Sequence, residues 1–208
     1  MNRPGKIVCV GRNYIEHAAE LGNPMPALPL LFFKPPSSVI ADGAEIVLPT
    51  VSRQVEHEGE IGVVVGKYLR GVGEDEALHG IRGVVCVNDV TARDLQKTDG
   101  QWTRAKGFDT FCPMGPRVVP LDELPPLDEL SVICRVNGVE RQRGLAADMA
   151  FSMPHIVSYI SSLMTLEPGD LVSTGTPAGV GLLTPGDVVE VEIPGVGVLK
   201  NSVVGATV

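Results

Sequence analysis

Residues 55–66 read VEHEGEIGVVVG, three glutamates within a run that heads into an apolar core. In an extended chain successive side chains alternate faces. Glu56, Glu58 and Glu60 then share one side, and His57, Ile61, Val63 and Val65 the other. Like charges packed together oppose ionisation unless solvent or a cation relieves them. Two readings follow. Either the segment begins as a wet edge strand whose glutamates keep its outer face soluble, or two of the carboxylates hold a metal ion.

The rest of the chain frames that choice. Its 208 residues, 44% hydrophobic, are enough for a substantial core and exclude intrinsic disorder. A net charge of −8 without a basic cluster, and only 4% aromatic residues, argue against a nucleic-acid partner. The sequence has no run of 18 apolar residues, and its first residues, MNRPGKIVCVG, lack a signal-peptide core. The expectation is a soluble, cytoplasmic protein with no membrane partner. Cys9, Cys86, Cys112 and Cys134 are widely spaced and mostly in apolar runs, which fits reduced, buried thiols.

With 24 glycines and 17 prolines and few long helical patterns, short strands joined by turns are expected. KIVCVG (6–11), EIGVVVGKYL and IRGVVCVNDVTA read as strands. Residues 13–24 read as a small helix capped by Asn13, with Gly22 just past its end and Pro24 preventing continuation. SVICRVNGVERQRG is a hairpin turning at Asn137-Gly138. Residues 152–166 read as the best helix, with Ser152 as cap, Pro154 in the first turn, and Ile156, Tyr159, Ile160 and Leu163 at helical spacing. The closing DVVEVEIPGVGVLKNSVVGATV is two alternating arms about a Pro-Gly turn. One β-rich α+β domain spanning 1–208, with a few short helices, accounts for the pattern.

Several polar residues stand where a core would not put them. Asp89 ends the apolar strand VVCVN, where a carboxylate must be paired, solvated or bound to a cation. It is either a turn residue or a third oxygen ligand beside Glu58 and Glu60. Three carboxylates with no Cys or His pair nearby would suit Mg²⁺ or Mn²⁺ rather than zinc. His17 and Glu20, three apart on the small helix, are either a surface pair or an oriented general base. WTRAKGFDTFCPMGP (102–116) carries Lys106 and Asp109. VSTGTPAGVG (172–181) is a small-residue loop that could bring N–H groups and hydroxyls to an anion or serve as a plain turn.

Taken in order, VGRNYIEHAAELG, FFKPPSSVI, HEGEIGVVVG, NDVTARDLQ, WTRAKGFDTFCPMGP and TGTPAGVG resemble the fumarylacetoacetate hydrolase family over about residues 8–181. The resemblance implies a mixed β-sandwich roll, assembled as a homodimer or larger homo-oligomer. It implies a divalent ion, Mg²⁺ or Mn²⁺, held by Glu58, Glu60 and Asp89, with Glu56 outside the ligand set. His17 and Glu20 match the family's His–Glu pair on a short lid, Lys106 its lysine, and Thr176 the second threonine of T-G-T-P. Arg93 and Gln96 fall where related enzymes keep polar groups near the substrate, and the backbone around Gly175 is expected, with Thr176, to hold a substrate carboxylate. Gly59 and Ile61 depart from the larger residue and leucine common in relatives, at packing positions that face away from the ligands.

The activity implied is that of the compact acylpyruvate-hydrolase branch: a small 2-oxo acid is bound and water activated by His17 cleaves its C–C bond to give pyruvate and a carboxylic acid. Oxaloacetate decarboxylation or tautomerisation is the alternative, followed by isomerisation of a 2-hydroxyhepta-2,4-diene-1,7-dioate-like substrate. A non-catalytic metal-binding scaffold would be expected to have lost some of these residues, and none is lost.

Overall fold

The structure is a computed structural model that describes residues 3–206 apart from 21 and 23. Its first half contains β1 (Ile7–Gly11), α1 (Ile15–Glu20), β2 (Leu30–Lys34), β3 (Val39–Ile40), β4 (Glu45–Leu48), β5 (Val55–His57), β6 (Gly59–Val65), α2 (Glu74–Gly80) and β7 (Ile81–Asn88). Then come β8 (Thr91–Ala92), α3 (Arg93–Thr98), α4 (Thr103–Lys106), β9 (Cys112–Val119), β10 (Ser131–Val136) and β11 (Val139–Leu145). The chain finishes with α5 (Met153–Leu163), β12 (Leu171–Ser173), β13 (Gly181–Leu182), β14 (Val188–Ile193) and β15 (Gly197–Gly205).

A seven-stranded mixed sheet runs β2-β1-β12-β6-β7-β9-β3, and a five-stranded sheet runs β11-β10-β14-β15-β4. β10 and β14 of the second pack on β6 and β7 of the first, which makes the sandwich, and a small third sheet, β13-β5-β8, curls away at one end. The alternation of β6 decides which side faces what. Ile61, Val63 and Val65 join Val132, Cys134, Val189 and Val191 in the core between the sheets. Val64 turns to the opposite face and packs with Ile7, Cys9, Val85 and Val87. Gly62 is required there, because a Cβ would lie 2.5 Å from Val87 Cγ2.

The wet-edge reading of residues 55–66 is therefore overturned. β6 has β12 and β7 on either side and β5 has β13 and β8, so neither is an edge strand, and Glu56, Glu58 and Glu60 are all buried. Other local expectations hold in detail. Asn137 and Gly138 both adopt positive φ at the β10–β11 turn, as a two-residue hairpin demands. Ser152 Oγ accepts the His155 N–H at the start of α5, whose buried stripe is Met153, Ile156, Val157 and Ile160. Leu163, the last residue of the helix, is exposed instead of joining that stripe. Asn13 is a correction: it does not cap α1, which begins at Ile15. Its buried amide donates to Phe151 O and Thr174 O and accepts from Phe151 N, pinning two distant loops. All four cysteines are buried and unpaired.

Candidate active site

The antiparallel pairing of β6 with β7 sets Gly59 opposite Asn88 and Glu60 opposite Val87. One residue beyond each strand end, Asp89 N–H donates to Glu58 O at 2.8 Å, and Glu58 N–H donates to Asn88 Oδ1 at 3.0 Å. Register alone thus brings Glu58, Glu60 and Asp89 together, with one carboxylate oxygen from each lying within 4.8 Å of the others. They form the floor of a cavity of about 270 Å³ that is also lined by His17, Phe32, Arg93, Gln96, Trp102, Lys106 and Thr176.

Buried carboxylates need compensation. Lys106 Nζ reaches Glu58 Oε2 at 2.8 Å and Asp89 Oδ2 at 2.6 Å. Arg93 bridges Glu58 and Glu56, the latter at 2.8 Å through Nε, and donates to Gln96 Oε1 at 2.6 Å. Glu56 is thus neither solvated nor a member of the triad; it anchors Arg93. Lys34 Nζ, wholly buried, holds the other oxygen of Asp89 at 2.5 Å.

The two glutamates of the E-x-E pair consequently titrate in opposite directions. Burial would raise Glu58, but Lys106 and Arg93 outweigh it and hold it well below the usual carboxylate range. Glu60 has no ion-pair partner among the described residues, and burial, then Asp89 and Glu58, push it up to about 8. Its Oε2 accepts from Ser173 Oγ at 2.5 Å and Gly175 N–H at 2.9 Å. A hard divalent cation fits this donor set: three converging carboxylates with no thiol or imidazole among them, one still uncompensated.

His17 stands at the cavity wall with Nδ1 at 3.1 Å from Glu20 Oε2, while Glu20 Oε1 accepts the Gly179 N–H at 3.0 Å. Glu20 itself is outside the lining and acts on the cavity through the imidazole. Thr176 lines the cavity, but its hydroxyl donates to Gly59 O at 2.9 Å and accepts from Gln142 Nε2 at 2.7 Å. Gly175 does not line the cavity, and its N–H is committed to Glu60.

Sequence reasoning missed Lys34, Ser173 and Gln142. Lys34 carried a signal, being the lone charge in LPLLFFKPP, since a lysine carried into a core by such a run must find a partner. Gln142 carried none. From β11 of the other sheet its Oε1 accepts the Gly59 N–H at 2.9 Å and lies 3.0 Å from His57 Nδ1, while Nε2 also reaches Pro177 O at 2.7 Å. Gly59 lets β6 pack closely on β10, since a Cβ would lie 2.9 Å from Cys134 Cβ.

The family model described as fumarylacetoacetate (FAA) hydrolase C-terminal matches residues 6–204. The chain belongs to the fumarylacetoacetate hydrolase family. Within that family it is 43% identical over 195 residues to a mitochondrial oxaloacetate decarboxylase of Dictyostelium discoideum, covering 91% of this chain and 89% of that one. It is 39% identical to the human mitochondrial oxaloacetate tautomerase FAHD2A, covering 98% and 68%. Among solved structures, 2-hydroxyhepta-2,4-diene-1,7-dioate isomerase from Mycobacterium marinum superposes with a TM-score of 0.90 at 43% identity, covering 99% and 77%. The mixed sandwich with few short helices is thus the family's fold. Among the described residues no helix is long and apolar enough to cross a membrane.

Proposed function

We propose that this chain is an Mg²⁺- or Mn²⁺-dependent enzyme of small 2-oxo acids, and that its reaction is hydrolytic cleavage of acylpyruvates. The observation that carries the hydrolytic reading is His17, on the wall of the cavity floored by Glu58, Glu60 and Asp89, with its Nδ1 held 3.1 Å from Glu20 behind it. Glu58, Glu60 and Asp89 would hold the ion. Bound there, a divalent cation supplies Lewis-acid stabilisation of negative charge on the 2-oxo group.

With its Nδ1–H donated to Glu20, His17 keeps Nε2 as the basic nitrogen. It takes a proton from water as the oxygen attacks the 4-carbonyl of the acylpyruvate. The C3–C4 bond breaks, its electron pair passes to the pyruvate enolate, and the acyl group leaves as a carboxylic acid. The imidazolium returns its proton to C3, which completes pyruvate. Lys106, held between Glu58 and Asp89, adds fixed positive charge beside the reacting oxygens. Thr176 and Gln96 contribute polar groups to the same wall.

The names of the relatives favour a second reading, oxaloacetate decarboxylation or tautomerisation. Loss of CO₂ from oxaloacetate gives the same enolate with no water nucleophile, so it needs the floor and not the base. The deciding experiment measures turnover of acetylpyruvate, fumarylpyruvate and oxaloacetate with Mg²⁺, Mn²⁺ or chelator, in wild type and His17→Ala. Metal-dependent cleavage of an acylpyruvate that His17→Ala abolishes is the expected result. Loss of CO₂ from oxaloacetate alone, unaffected by His17→Ala, would replace the hydrolase with the decarboxylase, and keto–enol exchange of oxaloacetate without C–C cleavage would replace it with the tautomerase.

A further inference from the structure

Glu58 and Asp89 are paired with cations within the floor, and the cavity lining carries further positive charge. Four cations line the cavity: Arg12, Arg93, Lys97 and Lys106. Arg93 is spent on Glu56, Glu58 and Gln96, and Lys106 on Glu58 and Asp89. Arg12 and Lys97 have no carboxylate or hydrogen-bond partner among the described residues. Lys97 is exposed, whereas Arg12 is half-buried, so its guanidinium is the less hydrated and the more able to reward an anion.

The backbone at Arg12 is costly for the residue it carries. Its φ is +58°, the left-handed region that glycine and asparagine enter with less strain than arginine. Gly11 before it has no room for a side chain, since a Cβ would lie 2.8 Å from Trp102 Cζ3. The indole therefore packs directly on Gly11, the residue before Arg12. A strained backbone beneath an arginine that has no partner among the described residues, on a cavity wall, points to a use for its side chain.

We propose that Arg12 is a specificity residue that selects 2-oxo acids bearing a second carboxylate at the end remote from the 2-oxo group. This rests on the 2-oxo acid reading above, which puts the head of the substrate on the acidic floor and its tail toward the mouth. The guanidinium fork pairs with a carboxylate through two parallel N–H donors and offers nothing to a methyl-ended tail. A cavity of about 270 Å³ limits the choice to short acids.

Two stable ligands that differ only in the tail test it: 2-oxoglutarate and 2-oxopentanoate, titrated calorimetrically in Mn²⁺ into wild type and Arg12→Asn. Asparagine suits the positive φ, so the fold should be kept, and a melting curve checks that it is. Wild type should bind 2-oxoglutarate about tenfold more tightly, a difference of about 1.4 kcal/mol. Arg12→Asn should bring the two within about threefold while leaving 2-oxopentanoate unchanged, and Arg12→Lys should keep part of the preference. Equal binding by wild type, or an Arg12→Asn protein that loses both ligands alike, overturns the assignment and leaves the 2-oxo acid reading standing. If neither ligand binds wild type, that reading fails and the role of Arg12 falls with it.

Discussion

Glu58, Glu60 and Asp89 lie at the ends of paired strands near the centre of the large sheet, each tied to its neighbours by backbone as well as side-chain bonds. His17, on the wall of the same cavity, and its partner Glu20 stand on a helix of six residues whose first member, Ile15, is largely exposed. The floor is held by sheet register and by buried ion pairs of long sequence separation. The wall segment is held by the side-chain bonds of Glu20 to Gly179 and of Asn13 to Phe151 and Thr174, with one isolated backbone bridge, Tyr14 to Met149, and the Ala150 N–H donated to Asn13 O. The contrast teaches that the two parts of the site can be altered separately. Changes to the floor should remove all chemistry, and changes to the wall should remove only the chemistry that needs a base.

The largest effect is expected from Glu58→Ala. It removes one of three converging carboxylates and leaves Lys106 to Asp89 alone and Arg93 to Glu56 alone. Turnover of every 2-oxo acid substrate should fall by about a thousandfold or more, about 4 kcal/mol of barrier. Mn²⁺ should no longer raise the melting temperature, as it should in wild type by binding only the folded state. Retained Mn²⁺ stabilisation in this variant would remove Glu58 from the ligand set.

His17→Ala should cost acylpyruvate cleavage about 10²- to 10⁴-fold, the range for loss of a positioned base. It should leave Mn²⁺ binding intact and change oxaloacetate decarboxylation by less than about threefold. A parallel loss of both activities would show that floor and wall do not separate in this way.

Lys34→Met tests the floor without touching the wall. Asp89 keeps Lys106 but loses its other cation, and breaking a buried pair of this kind costs about 3 kcal/mol, measurable by urea unfolding. A chain that binds Mn²⁺ as well as wild type after this change, and regains stability when the ion is present, would show that Lys34 serves chiefly to balance charge.

The smallest expected effect is none. Burial pushes the thiols of Cys86, Cys112 and Cys134 up to about 12 and raises Cys9 as well, so none supplies a thiolate at neutral pH. A thiol reagent at pH 8 should label the native protein negligibly and all four cysteines after unfolding. Rapid labelling of Cys9 or Cys112, which lie near the floor, would mean that the floor opens as readily as the wall.

Much of this was legible in the chain. Alternation along residues 55–66 placed Glu58 and Glu60 on one face because a strand's period is two whatever surrounds it. Asn137-Gly138 announced its hairpin, and Ser152 with Pro154 the start of α5, because those signals are local to a few residues. The same local reading misjudged Asn13, whose amide is used far from α1, and Glu56, whose exposure depends on whether β5 has neighbours. What the sequence alone determined was the elements and the kinds of group available: carboxylates at period two, an aspartate at a strand end, a histidine three residues from a glutamate. Only the tertiary structure decided which cation neutralises which acid. Lys34 meets Asp89 across 55 residues, Ser173 meets Glu60 across 113, and Gln142 reaches Gly59 across 83. Such pairings are set by how two sheets stack and which loop returns to which strand end. In a buried site those pairings, rather than the residue types alone, decide which carboxylate stays charged and which is left for a cation.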